Sequence, residues 1–164
     1  MREVREKLKT DLKGLEHELR IELPKEINTA LAMGDLRENA EYHAALERQG
    51  FVRARIGQLR ERLQELGMID MTRVPRDRAG MGSRLTVMDL DSDEQQQLHL
   101  VLPEVADLAQ GKISIASPIG KGLVGSRRGD EITIEIPSGT RRFEILELRT
   151  FHDAEAADGS GEKP

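Results

Sequence analysis

The acidic pair Asp35 and Glu38 is the part of this sequence best suited to chemistry. The two residues stand three apart in the stretch Gly34-Asp-Leu-Arg-Glu-Asn-Ala-Glu-Tyr-His43, a spacing that predicts both carboxylates on one face of the first turn of a helix. Mg²⁺ commonly takes one or two carboxylates and fills its other positions with water and phosphate. Two carboxylates therefore make part of a metal site, which a partner macromolecule would complete so that the shared metal could orient a water for in-line attack.

The same spacing has a structural explanation. Asp-x-x-Glu at a helix start is a variant of the capping box, in which Asp35 accepts a backbone N–H and Glu38 reaches back. Acidic side chains also suit the positive end of the helix dipole. The pattern alone favours capping, and metal binding stays as the alternative.

Three neighbours of the acidic pair are further candidates. Tyr42 is the only tyrosine of the chain and follows Glu38 by four residues, so it either covers the apolar seam of the helix or contacts a substrate or partner. Asn39 and His43 are weaker candidates, because a solvated or locally hydrogen-bonded side chain explains each of them.

Arginines recur every seven residues after this stretch, at Arg48, Arg55 and Arg62 and again at Arg53 and Arg60. These are the flanking positions of a heptad, where ion pairs between helices are expected. The partners would be glutamates of the preceding helix: Glu16, Glu18, Glu22 and Glu26. The alternative is contact with RNA phosphates, for which Arg48 is the candidate closest to the acidic pair.

The elements that would position these residues are two amphipathic helices. Apolar residues at helical spacing mark each of them: Val4, Leu8, Leu12, Leu15 and Leu19 in the first, and Val52, Ile56, Leu59, Leu63 and Leu66 in the second. Joined near Met33-Gly34-Asp35, they predict an antiparallel hairpin of roughly 45 Å. Pro24 lies inside the first helix, so we expect a kink or a restart there, with Pro24 at the first position of the second segment.

The second half of the chain alternates as short strands. The patterns predict hairpins over 84–102 and 131–148, a strand over 112–116, and a short helix that Ser117 caps, Pro118 begins and Gly125 ends. The sequence thus predicts an α+β protein with a small antiparallel sheet. Its predicted parts are a helical hairpin over 1–74, a linker over 75–80, a sheet domain over 81–152 and a disordered acidic tail over 153–164.

Composition excludes several classes of protein. The 164 residues include no Cys and no Trp, which excludes disulfide scaffolds, thiol nucleophiles and thiolate zinc sites and makes the cytoplasm the default location. A net charge of −5 argues against bulk neutralisation of nucleic acid. We expect no signal peptide and no membrane span, and the spacing offers neither a nucleophilic triad nor a Gly-rich phosphate loop.

Two stretches resemble the signatures of the bacterial Gre transcript cleavage factors, GreA more than GreB. They are Gly34-Asp-Leu-Arg-Glu-Asn-Ala-Glu-Tyr-His-Ala-Ala45, and Ile113-Ser-Ile-Ala-Ser-Pro-Ile119 with Gly122-Leu-Val-Gly125. The resemblance runs from about residue 8 to residue 149. It implies an antiparallel coiled coil followed by an FKBP-like α+β domain that grips RNA polymerase at the entrance of its secondary channel.

The resemblance also implies the roles of individual residues. The coiled coil would enter the secondary channel of the bacterial RNA polymerase core, where Asp35 and Glu38 help to hold the second Mg²⁺ and the attacking water, with Asn39 and Tyr42 as supporting residues. The chain would be a monomeric, cytoplasmic accessory factor and not itself an enzyme; contact with the 3′ segment of the nascent RNA would be indirect, and DNA binding is a further expectation. Leu31 and Leu46 stand where family members often carry a basic residue, which favours cleavage of short backtracked RNA.

Two other functions compete with cleavage. A binding-only relative would occupy the same channel and inhibit the polymerase, although the acidic pair argues against it. A peptidyl-prolyl isomerase or chaperone is suggested only by the FKBP-like resemblance, and three Phe, one Tyr and no Trp supply a proline pocket poorly.

Overall fold

The chain folds into two compact units that divide between Ile69 and Asp70. The computed structural model describes residues 1–159, and each unit is described by itself below. The division lies a few residues before the predicted boundary after residue 74. In the described part of the chain, no helix is long and apolar enough to cross a membrane.

The helical unit is an antiparallel hairpin. Its first limb comprises α1 (Arg2–His17), a π-helical turn (Glu18–Glu22) and α2 (Leu23–Leu31). The second limb is the single helix α3 (Ala40–Gly67), about 42 Å long, which packs against the whole first limb. The predicted hairpin is therefore confirmed.

Pro24 is accommodated by the π-helical turn that precedes it. The backbone N–H of Leu23 donates to the carbonyl of Glu18, five residues back, so the turn before the proline is wider than an α-helical turn. Pro24 occupies the second position of α2 and not the predicted first, and the wider turn before it accommodates a residue that lacks an N–H and whose ring would clash with the preceding turn of a regular α-helix. The first limb therefore restarts at Leu23 without a break in the helical path.

A seam of aliphatic side chains joins the two limbs. Leu23 and Val52 are fully buried at its centre with Ile56 beside them, and Leu12, Leu15 and Leu19 pack against this cluster. Six of the predicted seam residues are buried: Val4, Leu8, Val52, Ile56, Leu59 and Leu66. Leu23 was not in the predicted set, although it follows Leu19 by four residues and so continues the stripe.

The sheet unit contains one mixed five-stranded sheet. Its strands are β1 (Arg84–Asp89), β2 (Gln95–Val101), β3 (Lys112–Ser114), β4 (Glu131–Ile136) and β5 (Gly139–Arg149), in the order β3-β2-β1-β5-β4. The prediction of a purely antiparallel sheet is wrong at one place, because β3 pairs with β2 in parallel. The connection between these strands passes through two 3₁₀ turns and returns the chain part of the way along β2, so that β3 pairs with the last three residues of β2.

The core of the sheet unit lies between the sheet and α4 (Pro118–Leu123). Val87, Leu100, Leu123 and Ile145 are completely buried there, and Phe143 is almost so. The predicted cap is confirmed, since the Ser117 hydroxyl oxygen accepts a 3.1 Å hydrogen bond from the Gly120 N–H. This cap fixes the start of α4 against the end of β3.

The acidic segment predicted to be disordered from Asp153 is helical as far as Gly159. Helix α5 (Phe151–Gly159) follows Thr150, whose N–H and hydroxyl both donate to the Asp153 carboxylate, at 2.8 and 2.9 Å. The Asp153 N–H points back to the Thr150 hydroxyl at 3.4 Å. Thr-x-x-Asp is thus a capping box, a sequence signal that the prediction of disorder from the acidic composition overlooked. Residues 160–164 of the predicted tail lie outside the described residues.

Gly120 permits the close approach of α4 to β3, and this predicts the effect of a substitution. A Cβ atom at Gly120 would lie 1.9 Å from the Ser114 carbonyl oxygen, so Gly120→Ala forces backbone movement and should destabilise the sheet unit by about 1–3 kcal/mol. Gly57→Ala is the matched control, because Gly57 lies in α3 with nothing within 4 Å of its added Cβ. It should stabilise the helical unit by about 1 kcal/mol.

Urea titration with amide hydrogen exchange, read separately for β3 and α3, measures both changes. Unchanged protection of the β3 amides in Gly120→Ala would contradict the close approach.

Candidate functional site

The tip loop, residues 32–39, connects the two limbs of the hairpin and carries the predicted acidic pair. It begins after α2 with Gly34 at φ +132°, a conformation that favours glycine. Helix α3 begins only at Ala40, five residues after Asp35. The prediction that Asp35 and Glu38 form the first turn of this helix is therefore wrong, and both lie in the loop before it.

Asn39 is the residue that caps α3. Its backbone is extended, and its side-chain oxygen accepts a 3.1 Å hydrogen bond from the Tyr42 N–H. Its side-chain nitrogen donates a 2.6 Å hydrogen bond to the carbonyl of Ala30 in the last turn of α2. One side chain thus caps one limb and ties it to the other, and the strong N-cap preference of Asn was the sequence signal for this role.

The acidic pair is exposed to solvent. Asp35 accepts a 3.0 Å hydrogen bond from the Arg37 N–H through one carboxylate oxygen, which bends the loop as an Asx turn. Since Asn39 caps α3, the capping box considered for Asp35 and Glu38 does not form there. The second oxygen of Asp35 and the carboxylate of Glu38 face outwards on a backbone that Asn39 anchors at one end.

The tip loop does not build a complete metal site. Among the described residues, no group of three or more His, Cys, Asp or Glu side chains could hold a metal ion. Two exposed carboxylates still match the number that Mg²⁺ usually takes from a protein when a phosphate and water supply its other ligands.

Tyr42 and His43 lie beside the loop in the first turn of α3. The two rings meet edge to face with their centroids 5.7 Å apart, and Tyr42 is half-buried. The Nε2 atom of His43 lies 3.4 Å from the carbonyl of Arg37. The structure therefore gathers the four residues at the hairpin tip: Asp35, Glu38 and Asn39 lie in the loop, and Tyr42 lies in the first turn of α3.

Arg48 lies two helical turns further along α3, where it joins the limbs. Its guanidinium makes a bidentate ion pair with Glu18, at 2.6 and 2.9 Å, and lies 5.1 Å above the ring of Phe51. The hydrogen bond from Arg48 holds the pKa of Glu18 below its usual value, and the same bond raises the pKa of Arg48. Arg60 donates a single 2.8 Å hydrogen bond to Glu16, so the predicted ion pairs between helices form at these two positions.

Comparison with known proteins matches both units to one family. The family model "Transcription elongation factor, N-terminal" covers residues 2–67, and "Transcription elongation factor, GreA/GreB, C-term" covers residues 74–150. The chain belongs to the GreA/GreB family of transcription elongation factors. The tip loop is thus part of the N-terminal family domain, and α4 with its Ser117 cap is part of the C-terminal one.

Individual relatives extend over nearly the whole chain. Transcription elongation factor GreA of Thermodesulfovibrio yellowstonii is 42% identical over 87% of this chain and 90% of its own length. The GreA of Magnetococcus marinus is 43% identical over 87% of this chain and 91% of its own. Among solved structures, GreA factor homolog 1 of Thermus thermophilus is 27% identical over 88% of this chain and 94% of its own, with a TM-score of 0.40.

The double role of Asn39 predicts that this GreA/GreB family protein loses hairpin stability when the side chain is removed. Asn39→Ala deletes the cap and the bond to Ala30 and should destabilise the helical unit by about 1–2 kcal/mol. Asn39→Asp keeps the cap acceptor and loses only the donor, so it should recover part of that loss. Asn28→Ala is the matched control, because Asn28 is exposed within α2. Urea unfolding followed by circular dichroism measures the three variants, and equal stability of Asn39→Ala and Asn28→Ala would contradict the role.

The ion pair of Glu18 with Arg48 predicts a pH-dependent contribution to stability. Because the pKa of Glu18 is lowered in the folded state, the pair stabilises the hairpin above the ordinary glutamate pKa of about 4.3. That contribution is lost as the pH falls through the folded-state pKa. Glu18→Gln should therefore lower Tm slightly at pH 7 and leave it unchanged at the acid end, whereas Glu47→Gln, at an exposed position of α3, should change neither. A Tm difference between wild type and Glu18→Gln that is the same at both pH values would exclude the ion pair as its cause.

Proposed function

We propose that this protein inserts its helical hairpin into the secondary channel of RNA polymerase and stimulates cleavage of backtracked RNA, which rescues arrested complexes. The single observation that carries the proposal is the exposed acidic pair on the tip loop of a GreA/GreB family hairpin. The chain is an accessory factor in this proposal, and hydrolysis takes place in the polymerase active site. On its own it cleaves nothing, because two carboxylates lack the further ligands that a catalytic metal needs.

The donor set of the tip loop fits a Mg²⁺ ion that the polymerase shares. Asp35 and Glu38 would hold it, with the remaining positions left to polymerase carboxylates, RNA phosphate and water. A Mg²⁺ bound there supplies Lewis-acid activation of the phosphate and lowers the pKa of a bound water.

The other tip residues position this pair. The bond from the Arg37 N–H fixes one oxygen of Asp35 and so orients the other away from the backbone. Asn39 holds the end of the loop to both limbs, and Tyr42 packs beside it. Because the loop is fixed at this end, its carboxylates lose little conformational entropy on binding. This favours catalysis by positioning.

The sheet unit serves attachment in this proposal. It would bind the polymerase at the channel entrance, where it needs no catalytic group. Two aromatic residues belong to this unit, and Phe143 is 2% exposed in the core while Phe151 lies against Gly82. This distribution gives no support to the proline-isomerase alternative.

RNA cleavage in a stalled, backtracked polymerase complex with Mg²⁺ tests the proposal. Asp35→Asn and Glu38→Gln should each reduce the cleavage rate by about 100-fold, because each removes a charged metal ligand worth several kcal/mol in the transition state. Binding to the polymerase should change little. Glu41→Gln is the matched control, since Glu41 is an exposed acid in the first turn of α3, and it should keep full activity.

Full activity of Asp35→Asn would remove the metal-ligand role. Binding without cleavage by the wild-type protein would instead identify a regulator that occupies the channel and inhibits the polymerase.

A further inference from the structure

A second polar site lies on the sheet unit, on the face of the sheet opposite its core. Four basic residues form a row across four neighbouring strands, with direct register partners throughout. Lys112 in β3 is opposite His99 in β2, His99 is opposite Arg84 in β1, and Arg84 is opposite Arg149 in β5. Directly paired residues point to the same face of a sheet, so the row spans about 14 Å at the usual strand spacing.

This row lines a groove of about 470 Å³. A second row beside it is polar, with Gln97, Thr86 and Glu147 in register on the same three central strands. The volume lies within the range of small-molecule sites in proteins. The groove is therefore large enough for a small molecule and is lined by basic and polar side chains.

The charge of the row is opposite to that of the chain as a whole. The protein carries a net charge of −5, yet Arg84 and Arg149 are exposed and directly opposite each other. Like charges in directly opposed positions destabilise a sheet. An anion bound between the two guanidinium groups would remove that repulsion.

We propose that this groove binds a compact phosphate chain, as in inorganic pyrophosphate or the phosphates of a nucleotide. Guanidinium groups bind phosphate oxygens through paired N–H donors, and the Thr86 hydroxyl and Gln97 amide supply further donors on the neighbouring row. The proposal rests on Arg84 and Arg149, and it is independent of the cleavage function. The groove lining contains no Phe, Tyr or Trp, and His99 is its single ring that could stack on a base, which disfavours single-stranded nucleic acid as the occupant.

Calorimetric titration of the full chain with inorganic pyrophosphate, in potassium buffer with a chelator, tests the site. Arg84→Gln should weaken binding at least about tenfold, the loss expected for one charge-assisted contact. Glu147→Gln removes the acid of the groove and should tighten binding several-fold. Arg128→Gln is the matched control, because Arg128 is exposed and lies outside the groove lining, and its binding should match that of the wild type.

Amide chemical shifts locate the bound probe and confirm that the variants are folded. Pyrophosphate should move the amides around Arg84 and Arg149 and leave those of the tip loop in place. Equal binding of pyrophosphate and ATP identifies the phosphate chain as the whole ligand, whereas tighter binding of ATP identifies a nucleotide as its source.

Several results would overturn the site. These are the absence of pyrophosphate binding at millimolar concentration, unchanged binding in Arg84→Gln, and shifts confined to residues outside the groove. Much tighter binding of an RNA of about ten nucleotides, with a steep salt dependence, would replace the compact ligand with a nucleic-acid backbone.

Discussion

The narrow aliphatic seam between the two limbs of the hairpin determines what the tip loop can present. Two helices alone have no third layer to bury their side chains, so all the apolar burial of this unit lies along one line. Leu23 and Val52 occupy its centre, and Ala30 and Ala45 are the buried residues nearest the loop. The seam sets the register of the limbs, and that register places the Ala30 carbonyl within reach of Asn39.

Asn39 stabilises the tip of the hairpin and so leaves the acidic residues of the loop available for chemistry. Because its side chain caps α3 and bonds to α2, the acidic residues of the loop are not needed for either task. Asp89 in the sheet unit shows the opposite use of a carboxylate: it is 3% exposed and bonded to Arg141 and to the N–H groups of Asp91 and Ser92. The hydrogen bond from Arg141 is the largest cause that holds the pKa of Asp89 below its usual value, and the two backbone hydrogen bonds add to it. Asp35 accepts one backbone bond from its own loop and remains exposed.

Much of the fold could be predicted because periodicity alone specifies it. The stripe from Val4 to Leu19 and the heptad from Val52 to Leu66 predicted the helical hairpin, and alternation predicted the two strand hairpins, β1 with β2 and β4 with β5. The parallel pairing of β3 was missed because local patterns do not encode which edge a returning strand joins. The helix after Thr150 was missed because an acidic, alanine-rich composition was given more weight than its capping box.

The grouping of the tip residues could be predicted from the sequence, but the backbone that carries them could not. Asp-x-x-Glu at 35–38 and Asn at 39 are both start signals for a helix, and only one of them can be used. The bond between Asn39 and Ala30 decides between them, and it depends on the other limb, which no local pattern contains. The same holds for the basic row of the sheet unit, whose four members come from four strands and become neighbours only through the sheet register.

The tip loop also exposes apolar surface that the hairpin itself does not use. Met33 is 67% exposed and Leu36 is 46% exposed, on either side of Asp35. Exposed apolar side chains that lie close together are a feature of contact surfaces. Under the proposed function, insertion into the channel buries these side chains and supplies binding free energy close to the acidic pair. Because burial also excludes water, it strengthens the interaction of the two carboxylates with a shared cation. A tip with an acidic centre and an apolar rim is therefore better suited to a crowded protein channel than to catalysis in open solvent.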